Sequence, residues 1–76
     1  MAAQQAFVIP VGTFWVVRAN SENLGDLQRT QASAITVARE WLQNHGGGEL
    51  VILGEDGKIR AKDTIYPGND PRNIRG

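Results

Sequence analysis

The feature that most constrains the fold of this chain is one amphipathic segment that ends in three consecutive glycines. Thr30 is a typical helix N-cap residue, and a helical period begins directly after it. The glycines at 46–48 end the segment, because glycine tolerates the left-handed conformation that closes a helix. The apolar positions form one stripe: Ala34, Ile35, Ala38, Trp41 and Leu42. We therefore expect one helix over residues 31–45, with its apolar stripe against a sheet.

Extended segments precede the predicted helix. Residues 13–19 are aromatic and β-branched, and they predict a strand with two largely apolar faces. Residues 6–9 could form a short strand, for which Pro10 and Gly12 favour an edge position or an extended lead-in, because proline cannot donate a backbone hydrogen bond and glycine loosens the chain. Residues 26–29 follow a turn-rich segment and are just long enough for a brief second strand.

Two further strands follow the glycines. The unbroken apolar run at residues 50–53 is typical of a strand in the middle of a sheet. Asp56-Gly57 predicts a hairpin turn, and residues 58–64 predict the last strand, in which basic and apolar side chains alternate from Lys58 to Lys62. The order β-β-α-β-β predicts a two-layer α+β fold, in which an antiparallel sheet of three to four strands carries one helix on one face.

Length and composition limit the classes of protein to consider. With 76 residues, we expect a single domain, 1–76, with a flexible leader at 1–5 and an irregular tail at 67–76. The chain has no cysteine and one histidine, His45, which argues against a metal centre. Its apolar runs are far shorter than the roughly 20 residues that cross a bilayer. We expect a cytoplasmic protein that does not engage a membrane.

The sequence offers no set of residues that would make an active site. His45 close to Glu40 or Glu49 could be imagined as a general base, but no nucleophile or substrate pocket accompanies it. A histidine at the negative end of the helix dipole is the simpler interpretation. The glycines at 46–48 follow a helix, whereas those of a phosphate-binding loop precede one. We expect no enzyme activity, no metal and no small-molecule cofactor.

Residues spread over nearly the whole chain match one pattern: Trp15-Val16-Val17, Thr30, Ala34, Ala38-Arg39, Gly47-Gly48-Glu49-Leu50-Val51-Ile52, Asp56-Gly57-Lys58-Ile59, Asp63-Thr64 and Asp70-Pro71. In these residues the chain resembles a family of small bacterial and phage domains catalogued as a domain of unknown function. The tail departs from the aromatic and proline-rich ending of that family, because Arg72 and Asn73 follow Asp70-Pro71. The resemblance implies a compact β-β-α-β-β fold and a bacterial origin, and it carries over no catalytic residues.

One helix can cover only one face of the predicted sheet, so the other face is the first candidate for function. We expect Trp15, Val17 and neighbouring apolar side chains on the face away from the helix. This predicts a small interaction module that contacts a protein partner, or a second copy in a homodimer, through an exposed sheet face or edge.

A basic row supports an alternative function. Period-two spacing places Lys58, Arg60 and Lys62 on one strand face, and Arg18 could extend the row. With Trp15 or Tyr66 as stacking platforms, such a row would bind nucleic acid weakly. The competing interpretation is that lysine and arginine protect an edge strand from aggregation. The net charge of zero favours this second interpretation.

Overall fold

A computed structural model describes residues 4–20 and 22–67. These residues form one sheet and one helix, with the following elements in chain order: β1 (Gln5–Val11), β2 (Phe14–Ala19), β3 (Glu22–Gln28), α1 (Gln31–Asn44), β4 (Gly48–Leu53) and β5 (Ile59–Ile65). The strand order in the sheet is β3-β2-β1-β4-β5. The predicted α+β class with one helix is confirmed.

The sheet is wider than expected and it is mixed. We predicted three to four antiparallel strands, whereas the described residues form five, and β1 pairs with β4 in parallel. The other neighbouring pairs, β1 with β2, β2 with β3 and β4 with β5, are antiparallel. The parallel pair arises because β2, β3 and α1 together form the long connection between β1 and β4.

The expected edge position of the first strand is wrong, because β1 is the central strand of the sheet. Its ladder with β4 runs only from the pair Gln5 and Glu49 to the pair Val8 and Ile52. Pro10 lies beyond this ladder and is opposite Trp15 of β2. A proline is therefore accommodated in a central strand because the strand has only one partner at that level.

The helix begins as predicted. Thr30 has an extended backbone, and its side-chain oxygen accepts a 3.0 Å hydrogen bond from the backbone nitrogen of Ser33. At the other end His45 is the C-cap, and the backbone nitrogen of Gly47 donates to the carbonyl oxygen of Leu42 at 2.7 Å. Gly46 and Gly47 both have positive φ, which explains why glycine is needed there.

The helix covers one face of the sheet and the core lies between the two layers. Small and branched residues of α1 meet apolar residues from all five strands in one buried cluster: Ala6, Val8, Trp15, Val17, Ala19, Ala34, Ala38, Leu42, Leu50 and Ile65, with Leu24 and Ile52 partly buried beside it. The predicted arrangement of one helix on one sheet face is confirmed.

The structure describes two residues of the predicted leader and one residue of the predicted tail. Gln5 opens β1, and the side-chain amide of Gln4 donates to the carbonyl oxygens of His45 and Gly47, so these two residues are part of the fold. The expectation of a flexible leader is therefore wrong for both. Most of the predicted tail, residues 68–76, lies outside the described residues, as do residues 1–3.

In the described part of the chain no helix has the length and apolar character required to cross a membrane.

Candidate interaction surface

The predicted positions of Trp15 and Val17 are wrong, because both side chains lie on the face that α1 covers. Val17 is fully buried and Trp15 is only 9% exposed, and both belong to the core cluster. Alternation along β2 is as predicted, so Phe14 and Val16 point the other way. The two faces of β2 are similarly apolar in sequence, which is why the covered face could not be identified from alternation.

The opposite face carries its own set of apolar side chains, and we call it the open face. The register places Ile9 opposite Val16 and Val11 opposite Phe14. On the other side of β1, Phe7 is level with Val51 in the parallel ladder. The strand alternation and the register give the open face these apolar members: Phe7, Ile9, Val11, Phe14, Val16, Leu27, Val51, Leu53 and Ile59.

The assignment of Leu27 to the open face follows from its neighbour. Gln28 is opposite Trp15, and its side-chain oxygen accepts a hydrogen bond from the hydroxyl of Ser33 in α1. Gln28 therefore faces the helix, and Leu27 points away from it.

Four members of the open face are unusually exposed for their size. The exposed fractions are 49% for Val11, 40% for Phe14, 52% for Leu27 and 58% for Ile59. Val51 and Val16, by contrast, are only 1% and 9% exposed. Across residues 4–20 and 22–67, no helix or strand packs over this face, since α1 lies on the other one. Val11, Phe14, Leu27 and Ile59 therefore leave exposed apolar surface on the open face, around the buried Val16 and Val51.

Two cations flank the open face at the level of Phe7 and Val51. Arg18 is opposite Phe7, and Lys62 is opposite Val51, so one level of the sheet reads Arg18, Phe7, Val51, Lys62. Three strand spacings separate the two cations, which is about 14 Å. Two residues before Phe7 and Val51 along their strands, the side-chain amide of Gln5 donates to the carboxylate of Glu49 at 2.9 Å.

The predicted basic row does not form. β5 begins at Ile59, so Lys58 lies in the preceding turn, where its backbone nitrogen donates to the carboxylate of Asp56. The register then shifts between Ile52 and Leu53, which leaves Arg60 as an extra residue between the pairs of Ile59 and Ala61. A bulge of this kind reverses the direction of the side chains that precede it. Lys62 and Arg60 consequently lie on opposite faces.

Arg60 instead borders a groove between α1 and the β4–β5 hairpin. The groove has a volume of about 600 Å³ and is lined by Trp15, Gln31, Ile35, Ile52, Gly54, Glu55, Arg60 and Ala61. The side chain of Arg60 lies over Gly54, where a β-carbon would meet its Cγ at 2.8 Å. A second groove of about 470 Å³ shares Trp15 and Glu55 with the first. Nothing in the alternation of β5 indicates this position for Arg60.

Both edge strands are poorly suited to pairing with another strand. Leu24 and Gln28 of β3 pair with Val17 and Trp15 of β2. Three residues separate the pair in β3, whereas one residue separates the pair in β2, so β3 bulges. This irregularity includes Gly25, with positive φ. β5 has its own bulge, and it carries Lys62 and Asp63 on its regular part. Bulges and edge charges of this kind oppose sheet extension.

The structure also shows the surroundings of His45, which the sequence offered as a general base. The rings of Trp41 and His45 stack with their centroids 4.2 Å apart, and Nδ1 of His45 lies 2.7 Å from the carbonyl oxygen of Trp41. His45 is therefore held at the helix end beside an aromatic ring and is not paired with Glu40 or Glu49. Among the residues described, no three His, Cys, Asp or Glu side chains are grouped so that they could hold a metal ion.

Comparison with known proteins gives one match. A family model described as "Uncharacterized protein conserved in bacteria (DUF2188)" matches residues 7–65, which include every strand and the helix except the first two residues of β1. The resemblance to a small bacterial family of unknown function is thereby confirmed. Neither the curated proteins nor the solved structures contain a match to the chain.

Proposed function

The chain belongs to the bacterial DUF2188 family, and from this premise we propose that it is a non-enzymatic interaction module that binds a protein through the open face of its sheet. The observation that carries the proposal is the exposure of Val11, Phe14, Leu27 and Ile59 on a sheet face over which no described helix or strand packs. Apolar surfaces of this kind typically mark sites where a partner binds.

A sheet face fits this role better than a sheet edge. The bulges in β3 and β5 interrupt the regular backbone pattern that a partner strand would extend. Lys62 and Asp63 add charge to the more regular edge. The open face, in contrast, has an apolar side chain on each of the five strands, and we call this set the apolar row: Leu27, Val16, Ile9, Leu53 and Ile59.

A second copy of the chain is the simplest partner. An apolar face is self-complementary in chemistry, and two copies can pack face to face about a two-fold axis. Five strands of this length present a projected area of about 500 Å². Stable interfaces bury about 800 Å² of accessible surface per partner. We therefore expect a dimer that forms only at high concentration.

Sedimentation equilibrium between about 10 µM and 1 mM tests this proposal, because that range covers affinities of weak dimers. We expect the average mass to rise with concentration. The double variant Phe14→Ser, Ile59→Ser should shift the rise to higher concentration, because it removes exposed apolar area without disturbing the core.

Tyr66→Ser is the matched control. Tyr66 is 74% exposed and follows the end of β5, outside the apolar row. Its replacement should leave the concentration dependence unchanged. A wild-type chain that keeps the monomer mass at about 1 mM would contradict self-association through the open face.

Weak nucleic-acid binding remains a second candidate, and a specific arrangement favours it. Phe7 and Phe14 lie on the same face as Arg18 and Lys62. Aromatic rings beside cations on a sheet can stack bases and contact phosphates of a single strand. The broken row at Arg60 and the zero net charge weigh against it, so we rank it below protein binding.

Fluorescence anisotropy with a labelled oligothymidine tests this second candidate. With two phosphate contacts, the logarithm of the binding constant should fall against the logarithm of salt with a slope of about −1.4. Lys62→Glu should abolish binding, and Arg60→Glu, on the other face, should weaken it much less. Equal losses in the two variants would show that binding does not use the open face.

A further inference from the structure

The groove beside Arg60 is separate from the open face and suggests a second site. It lies on the helix side of the sheet, between the first turns of α1 and the β4–β5 hairpin. Two features place Arg60 there. The bulge in β5 turns its side chain away from the face of Lys62, and Gly54 leaves room for that side chain.

Gly54 is informative because its backbone does not require glycine. Its φ is outside the left-handed region, unlike that of Gly57 in the same turn. The atoms within 4 Å of a β-carbon at this position include Nε, Cγ and Cδ of Arg60. Glycine therefore leaves room here for the side chain of Arg60 beside the groove.

The guanidinium has no counter-ion in the described part of the chain. Within residues 4–20 and 22–67, the ion pair present is that of Arg39 with Asp63, at 3.8 Å. Glu55 lines the same groove without forming an ion pair with Arg60. An arginine in a groove with apolar walls is suited to bind an anion, because guanidinium matches the geometry of a carboxylate.

We infer that this groove binds a small apolar monocarboxylic acid. The walls contributed by Trp15, Ile35 and Ile52 would contact the apolar part, and Arg60 would pair with the carboxylate. The volume of about 600 Å³ is in the range of small-molecule sites. Glu55 lines the same groove and repels a dianion more strongly than a monoanion, so a monocarboxylate fits better than a phosphate.

An NMR titration of the full chain with phenylacetate tests this inference. The expected dissociation constant is about 1–10 mM, as for a ligand of this size in an open groove. The amide signals of Gly54 and Arg60 and the indole signal of Trp15 should shift. Phenylethanol, which keeps the ring and lacks the charge, should shift them much less, and so should inorganic phosphate.

Two variants complete the design. Arg60→Gln should weaken phenylacetate binding about tenfold, because a charged hydrogen-bond donor is lost. Arg18→Gln removes an exposed arginine from the open face and should leave the affinity unchanged. Absence of shifts at the groove up to about ten times the expected constant, similar shifts with phenylethanol or phosphate, or equal losses in both variants would each overturn the proposal.

Discussion

The side chain of Arg60 occupies the space next to Gly54 that a β-carbon would need. Gly54→Ala should therefore displace Arg60 from the groove at little cost in stability. We expect a loss below about 1 kcal/mol, because Arg60 is exposed and can move, and position 54 has no left-handed backbone. Urea unfolding should show this small change.

In the same variant, phenylacetate affinity should fall toward that of Arg60→Gln. The titration of the indole signal of Trp15 measures it. An affinity that stays at the wild-type value in Gly54→Ala would mean that the position of Arg60 does not depend on the missing side chain.

Gly48 should tolerate substitution much less well than Gly54. A β-carbon at this position would overlap the backbone oxygen of Gln4 and approach Cδ2 of Leu42 at 3.0 Å. Backbone atoms cannot move aside as a flexible side chain can, so Gly48→Ala should cost about 2 kcal/mol or more. Urea unfolding monitored by circular dichroism measures the difference.

Gly46→Ala is the control for this prediction. Gly46 lies in the loop just before β4 and has a φ of 91°, but no atom lies within 4 Å of a β-carbon there. It should cost about 1 kcal/mol through its backbone conformation alone. Equal losses at the two positions would show that the approach of Gln4 to Gly48 is unimportant.

Leu42 should be the most sensitive core position of the helix. It is fully buried between α1 and the sheet. Leu42→Ala should lower the free energy of unfolding by about 2–5 kcal/mol, a large share of the total for a domain of this size. Leu27→Ala makes the same chemical change on the open face, at a side chain that is 52% exposed, and should cost less than about 0.5 kcal/mol at low protein concentration.

Thermal unfolding of the two leucine variants side by side provides the measurement. A comparable loss at Leu27 would indicate that the open face is already covered within the monomer.

The N-cap of α1 gives a fourth prediction. The hydroxyl of Thr30 accepts from the backbone nitrogen of Ser33, so Thr30→Ala should destabilise the domain by about 1 kcal/mol, and Thr30→Ser should retain most of the stability. Thr36→Ala serves as the control, because the hydroxyl of Thr36 bonds only to the carbonyl oxygen of Ala32 within the helix. Chemical denaturation should leave Thr36→Ala at or slightly above the wild-type stability.

The local features of the sequence were sufficient to predict the helix and most of the strands. Thr30 and the glycines after His45 delimit α1 through capping chemistry that acts within a few residues. Leu50 and Val51 are buried in an internal strand, as their apolar run indicated. The central place of β1 was missed because Pro10 is a local signal, whereas the ladder between β1 and β4 depends on residues more than forty positions apart.

The candidate site was harder to predict than the fold. Phe14 and Trp15 are both large and apolar, so alternation along β2 defines two faces without showing which one the helix covers. Side-chain alternation at Arg60 and Lys62 is regular in sequence, and the bulge that separates them is a property of the pairing between β4 and β5. The open face depends on which side of the sheet α1 covers, and the groove depends on the bulge in β5; both are set by tertiary structure.

The parallel ladder between β1 and β4 has a consequence for how the molecule is made. During synthesis, β1 can pair with β4 only after β2, β3 and α1 have been made. Contacts that join distant parts of a chain slow folding, because the intervening loop has to be closed first. Until β4 docks, a β1–β3 meander would therefore have one side of β1 without backbone hydrogen-bond partners.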